Sequence, residues 1–169
     1  MIGVNRKFPD FALTGVDGNN EIVDVCLSEF EGWTVVYFYP KDFTFVCPTE
    51  IAAMDKLLDD GLNVVGISGD NEYCKLNWKE SNALISDIRH PLCADAGLFL
   101  AGRLGIIDDW EGVALRATYI IDPDLIIRHV SVNGLDTGRS AKEIARTAAA
   151  LQAGGLTGCS WTPGDSLLG

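Results

Sequence analysis

One cysteine in this chain stands where a sulfur would be made reactive. Cys47 lies in the run Phe38-Tyr39-Pro40-Lys41-Asp42-Phe43-Thr44-Phe45-Val46-Cys47-Pro48-Thr49-Glu50. An apolar strand enters a short loop, and the loop delivers the thiol just before a proline. Proline suits the first turn of a helix, where its missing N–H is not needed. Cys47 is therefore expected at a helix N-terminus, where free backbone N–H groups and the helix dipole favour an anion. A thiol placed so ionises more readily, and the thiolate is the nucleophile. Thr44 precedes Cys47 by three residues, so its hydroxyl is expected to reach the sulfur, accepting and donating at once. Pro40 is expected to cover the sulfur and exclude water, which strengthens electrostatics nearby. A thiolate also needs a fixed cation, and spacing alone does not identify it.

The remaining cysteines are Cys26, Cys74, Cys93 and Cys159. No Cys-x-x-Cys pair occurs, which argues against a zinc ribbon or a dithiol motif. His90 and His129 are not at metal-ligand spacing and read as structural, so neither metal nor cofactor is expected. Cys26, Cys74 and Cys93 read most simply as small core or surface residues, with Cys74 or Cys93 left as an alternative second thiol for Cys47. A net charge of −11 over 169 residues argues against nucleic acid and against an anionic membrane surface. No apolar run approaches the ~18 residues of a membrane span. Met1 to Asp10 has no signal-peptide pattern. A cytoplasmic protein is expected.

The elements that must position Cys47 follow from periodicity. Thr34 to Tyr39 and Leu62 to Ser68 read as buried strands. From Pro48 to Leu58, Ile51, Met54 and Leu58 fall at helical spacing, and Gly61 closes that helix. Asn71 to Leu84 reads as a helix capped by Asp70, and Asp95 to Leu104 as a shorter one. Arg116 to Asp122 and Leu125 to Val132 form a hairpin around Asp122-Pro123-Asp124. Ser140 caps a last helix to Gln152, ended by Gly154-Gly155. The tail from Leu156 to Gly169 has no clear period and is expected as a docked or mobile arm, with Trp161 as its anchor. This order implies an α/β fold with a mixed central sheet covered by helices.

Tyr39 to Ile51 resembles the peroxidatic-cysteine motif of the peroxiredoxins, in the alkyl hydroperoxide reductase C branch. Pro-x-x-x-Thr-x-x-Cys is met by Pro40, Thr44 and Cys47. Similarity extends over most of the chain. Lys7-Phe8-Pro9-Asp10-Phe11 resembles the family's N-terminal strand entry. Leu115-Arg116-Ala117-Thr118-Tyr119-Ile120-Ile121-Asp122-Pro123 resembles the segment that supplies an active-site arginine. Gly138-Arg139-Ser140 resembles the Gly-Arg-Ser before the last helix.

The resemblance implies a thioredoxin fold with peroxiredoxin additions, as a peroxidase domain over residues 1–155 and a C-terminal arm over 156–169. It implies Cys47 as the nucleophile toward hydrogen peroxide and organic hydroperoxides. Thr44 and Arg116 would position the substrate, Pro40 would shield the sulfur, and Glu50 and Arg139 would form a charge network beside Arg116. It implies a homodimer, likewise rings of dimers, and a thioredoxin-like or AhpD-like dithiol reductant. Cys159-Ser160-Trp161-Thr162-Pro163-Gly164 resembles the arm that carries a resolving cysteine. The short Cys-x-Trp-x-x-Gly-Asp form is nearer the mycobacterial type, in which a second cysteine stands where this chain has Thr157. A one-cysteine peroxidase resolved by an external thiol stays open, as does a thioredoxin-fold redox sensor or chaperone without peroxidase activity. The Gly-Gly-Leu-Gly segment and Tyr-Phe tail of peroxide-sensitive relatives are absent, so resistance of Cys47 to overoxidation is expected.

Overall fold

The run of β-branched and aromatic residues at 34–38 lies at the centre of the architecture, because both its faces are covered. A computed structural model describes all residues from Met1 to Gly169. Its strands are β1 (Ala12–Val16), β2 (Ile22–Cys26), β3 (Thr34–Phe38), β4 (Asn63–Ser68), β5 (Leu92–Ala94), β6 (Ile107–Asp108), β7 (Val113–Ala114), β8 (Arg116–Ile121) and β9 (Ile127–Asn133). Its helices are α1 (Cys47–Asp55), α2 (Glu72–Ser81), α3 (Phe99–Leu104) and α4 (Ala141–Gln152). Seven strands form one sheet in the order β2-β1-β5-β4-β3-β8-β9, and β6 pairs with β7 apart from it. β3 runs parallel to β4 and antiparallel to β8. All five β3 residues are buried, as expected of a strand covered on both faces.

Alternation along β3 divides the core in two. Val36 and Phe38 point to a cluster with Phe8, Leu100, Leu104 and Tyr119. Val35 and Tyr37, with Tyr39 just beyond, point to a cluster with Ile51, Met54, Trp78 and Ile144. The second cluster draws on α1, α2 and α4 and lies beneath the cysteine. Ile51 and Met54 are fully buried, each contributing about 2 kcal/mol of apolar burial.

Most expected elements form where periodicity put them. α1 continues as a 3-10 turn over Lys56–Asp60 and stops at Gly61, whose φ of +77° suits a residue without Cβ. Ser140 accepts from the Glu143 N–H and caps α4. The β8–β9 hairpin turns through Asp122, whose carboxylate accepts from the N–H groups of Asp124 and Ile126. Two expectations are corrected. Asn71, not Asp70, caps α2, its side chain accepting from Cys74 N–H at 2.8 Å. Asp70 is instead drawn to the loop, where it accepts from Asp42 N–H at 2.7 Å. The helix read over Asp95 to Leu104 begins as α proper only at Phe99, because Gly97 and Leu98 adopt positive φ.

The loop between β3 and α1 is held by a buried ion pair. Lys75 Nζ lies 3.3 Å from both carboxylate oxygens of Asp42, 2.5 Å from Ser68 Oγ and 3.2 Å from Tyr39 Oη. Both charged side chains are wholly buried. Removing one partner of such a pair strands the other charge, whereas replacing both is far milder. Lys75→Met is expected to lower the unfolding free energy by about 3–5 kcal/mol in urea titrations, with Asp42→Asn in the same chain restoring much of that loss.

Candidate active site

Cys47 is the first residue of α1 and Pro48 the second, with Val46 at the cap position. The sulfur is buried, with 1% of the residue exposed. Arg116, first residue of β8, brings Nη1 to 3.3 Å from Cys47 Sγ. The same Nη1 donates to Glu50 Oε2 at 2.7 Å, and Arg116 Nε donates to the Leu135 carbonyl at 2.8 Å. The cation that spacing could not supply is therefore fixed from three sides.

Glu50 stands one helical turn after Cys47, so its carboxylate lies on the same face. Arg139 closes on it with Nε at 3.0 Å and its backbone N–H at 2.8 Å from Oε1. Arg139 also donates to the carbonyls of Ala117 and Phe38 and to Thr118 Oγ1, and its guanidinium lies 5.1 Å over the Tyr37 ring. Burial raises the Glu50 pKa, but hydrogen bonds and charge from Arg139, then the charge of Arg116, hold it below the ordinary glutamate range. Glu50 is therefore an ionised, buried clamp between two arginines.

Thr44 is placed differently from the expectation. Its hydroxyl donates to the Lys41 carbonyl at 3.0 Å and makes no hydrogen bond to the sulfur. The reason is local: the helix starts at Cys47, so Thr44 lies outside it and not one helical turn behind. Phe43 at φ +56° turns the loop just before it. Pro40 is buried at the end of β3. It lines a cleft of about 440 Å³ with Lys41, Gly69, Asp70, Leu98 and Val113.

The other cysteines lack such a setting. Burial pushes the Cys93 thiol up to about 12 and the Cys74 thiol, helped by Asp42 and Asp70, to about 11. Cys159 is exposed, and its sulfur lies within hydrogen-bond distance of Ser160 Oγ, at 3.7 Å. Its arm is docked by Trp161, which is 8% exposed and whose carbonyl accepts from Arg146 Nη1 of α4 at 2.7 Å. Asp42, Ser68 and Lys75 escaped the sequence reading. The signal was present: Lys75 and Lys79 share the inner face of α2 with Trp78, where a buried lysine requires a partner.

With this geometry established, comparison with known proteins gives a consistent answer. The model of the AhpC/TSA family matches residues 4–130. Alkyl hydroperoxide reductase C of Mycolicibacterium smegmatis is 35% identical, over 98% of this chain and 92% of the relative. A reduced 2-Cys peroxiredoxin of Plasmodium vivax superposes with a TM-score of 0.91 at 34% identity, covering 98% of this chain and 92% of that one. Mycobacterium tuberculosis AhpC superposes with a TM-score of 0.82 at 33% identity, covering 90% of this chain and 99% of that one. Fold and site thus define a thiol peroxidase of thioredoxin fold. The chain belongs to the AhpC/TSA family of peroxiredoxins.

The Glu50 clamp carries a pH signature. Its folded pKa lies below its unfolded one, so its stabilisation is complete above the ordinary value of about 4.3 and is lost as pH falls toward the folded value. Glu50→Gln is expected to flatten the stability–pH curve below about pH 4.3 relative to the parent, as read by denaturant unfolding across that window.

Proposed function

We propose that the chain reduces hydrogen peroxide and organic hydroperoxides through Cys47, with Cys159 of a neighbouring subunit as the resolving thiol. The observation that carries this is the Arg116 guanidinium 3.3 Å from a buried sulfur at a helix N-terminus, locked by Glu50. The Cys47 thiolate attacks the terminal peroxide oxygen. The O–O bond breaks, the leaving oxygen takes a proton and departs as water or alcohol, and Cys47 becomes a sulfenic acid. Arg116 and the first N–H groups of α1 face the charge that develops on the oxygens. Thr44 supports this step through the lone pairs its hydroxyl keeps while donating to Lys41. Pro40, buried at the end of the strand, keeps water from the loop.

The Cys159 thiol then attacks the sulfenic sulfur, water leaves and a disulfide forms. A thioredoxin-like or AhpD-like dithiol restores both thiols by exchange. Support for this half-reaction is an exposed thiol on an arm anchored two residues later by Trp161. On this reading the working unit is a homodimer, which the family resemblance extends to rings. We also place the protein in the cytoplasm, whose reducing poise suits isolated thiols.

Two measurements test the reading. Peroxide consumption is expected to vanish in Cys47→Ser and to slow roughly 10²-fold in Arg116→Met. Undiminished turnover in Cys47→Ser would end the peroxidase role of that sulfur. On non-reducing gels, stoichiometric peroxide is expected to give a covalent dimer that Cys159→Ser abolishes. A parent chain that stays monomeric while reacting would point to resolution by an external thiol.

A further inference from the structure

The helix that carries Cys47 is held at its other end by polar groups that the proposed chemistry does not use. Asp55 is the last residue of α1. Its Oδ1 lies 2.6 Å from His90 Nδ1 and also accepts from the backbone N–H groups of Arg89 and His90. His90 Nε2 lies 2.7 Å from Tyr37 Oη. Tyr37 and His90 are essentially unexposed. The roles of the ring nitrogens follow from the partners. The Asp55 carboxylate is ionised, with burial outweighed by hydrogen bonds from His90 and Arg89 that hold its pKa well below the ordinary range. His90 Nδ1 therefore donates to it. Burial favours neutral imidazole more than Asp55 opposes it, so Nε2 is left to accept from the Tyr37 hydroxyl.

Tyr37 is the point where the two ends of α1 meet. Its hydroxyl joins the His90–Asp55 pair at the last residue of α1. Its ring face carries the Arg139 guanidinium, which holds Glu50 and through it Arg116 at the sulfur. Around Tyr37 the packing is apolar, with Val35, Ile51, Leu92 and Ile120 in the same cluster, while at the solvent end the Arg89 guanidinium pairs with Asp55 Oδ2 at 3.1 Å. Burying three polar groups there costs free energy unless each is satisfied, and satisfied networks fix direction in a way apolar packing does not. The backbone makes room for the hydroxyl as well. A Cβ on Gly66 would come within 2.6 Å of Tyr37 Oη.

We propose that Tyr37 and His90 are positioning residues for Cys47: the Asp55–His90–Tyr37 chain fixes the Tyr37 ring and the lie of α1, and so sets the Arg139–Glu50–Arg116 clamp against the sulfur. This rests on the reading of Cys47 as the reactive thiol. It differs from a role in stability alone, because it makes the direction of the Tyr37 hydroxyl matter to the sulfur.

The test uses three single variants of the full chain, each checked for native near-UV dichroism. Tyr37→Phe keeps the ring and removes the hydroxyl. His90→Asn places an amide at the Nδ1 position, keeping Asp55 and leaving Tyr37 without its acceptor. His90→Gln places an amide oxygen at the Nε2 position, restoring the acceptor, while Asp55 keeps the backbone N–H groups of residues 89 and 90 and the Arg89 guanidinium. Rapid mixing with hydrogen peroxide reads the second-order rate at Cys47, and iodoacetamide alkylation of Cys47 at neutral pH gives a readout independent of peroxide. Tyr37→Phe and His90→Asn are expected to slow both reactions about tenfold, as misplacement of a catalytic group does, with His90→Gln within about threefold of the parent. A combined Tyr37→Phe, His90→Asn chain should be no slower than either single one, since both break the same link. Parent-like rates in Tyr37→Phe, or His90→Gln as slow as His90→Asn, would overturn the proposal. Should Tyr37→Phe fail to fold, the His90 pair decides alone. Cys47→Ser run in parallel isolates the premise: peroxide consumption by that variant would refute the role of Cys47.

Discussion

A buried carboxylate shared by two arginines is the interaction on which the site depends. Glu50 takes Arg116 on Oε2 and Arg139 on both oxygens, with all three side chains nearly out of solvent. Each charge alone would be costly to bury, and together they satisfy one another's donors and acceptors. The arrangement leaves Arg116 Nη1 facing Cys47 while its charge is balanced from behind. A lone guanidinium would be free to turn to water. Here its Nε is committed to Leu135 and its Nη1 to Glu50, so the direction toward sulfur is imposed.

The same clamp explains why the sheet order matters. Cys47 and Glu50 come from α1, Arg116 from the start of β8, and Arg139 from the loop before α4. They meet because β8 is the antiparallel neighbour of β3, whose C-terminal end feeds the loop to α1. Arg139 closes the junction by donating to carbonyls of both Phe38 and Ala117, one on each strand. One side chain thus reads the spacing of the two strands and transmits it to Glu50. The Lys75–Asp42 pair does the corresponding work for the loop, and the Tyr37–His90–Asp55 chain for the far end of the helix.

What was legible in the sequence depended on whether the signal was local. Cys47 at a helix start follows from Pro48 and the apolar run before it, and the Ser140 cap from a single side chain. Arg116 and Arg139 came through resemblance, because no local rule brings residues 69 and 92 positions away to Cys47. Thr44 was misplaced by assuming helical geometry before the helix begins, where Phe43 at positive φ governs the chain. β1 and β2 lack a strong apolar alternation. Their residues are partly exposed near the sheet edge, where β-propensity is weakly expressed. Tyr37 and His90 each read as ordinary core residues, and only their approach across the sheet makes them a pair.

Burial of Cys47 and access for Cys159 make opposing demands, and the local structure reconciles them. On the two-cysteine reading the oxidised sulfur must leave its pocket to meet a second thiol. The first turn of α1 is lightly held: Val46 offers no side-chain cap, and its carbonyl is what Thr49 and Glu50 bond. Unwinding that turn costs those few bonds and the Arg116–sulfur contact. It does not require Glu50 to leave Arg139, Ile51 to leave the core, or Asp55 to leave His90. The anchors therefore lie just behind the segment that must move. On that reading the movable segment is the turn before Glu50, and the side-chain contacts of Glu50, Ile51 and Asp55 mark where the fixed part of α1 begins.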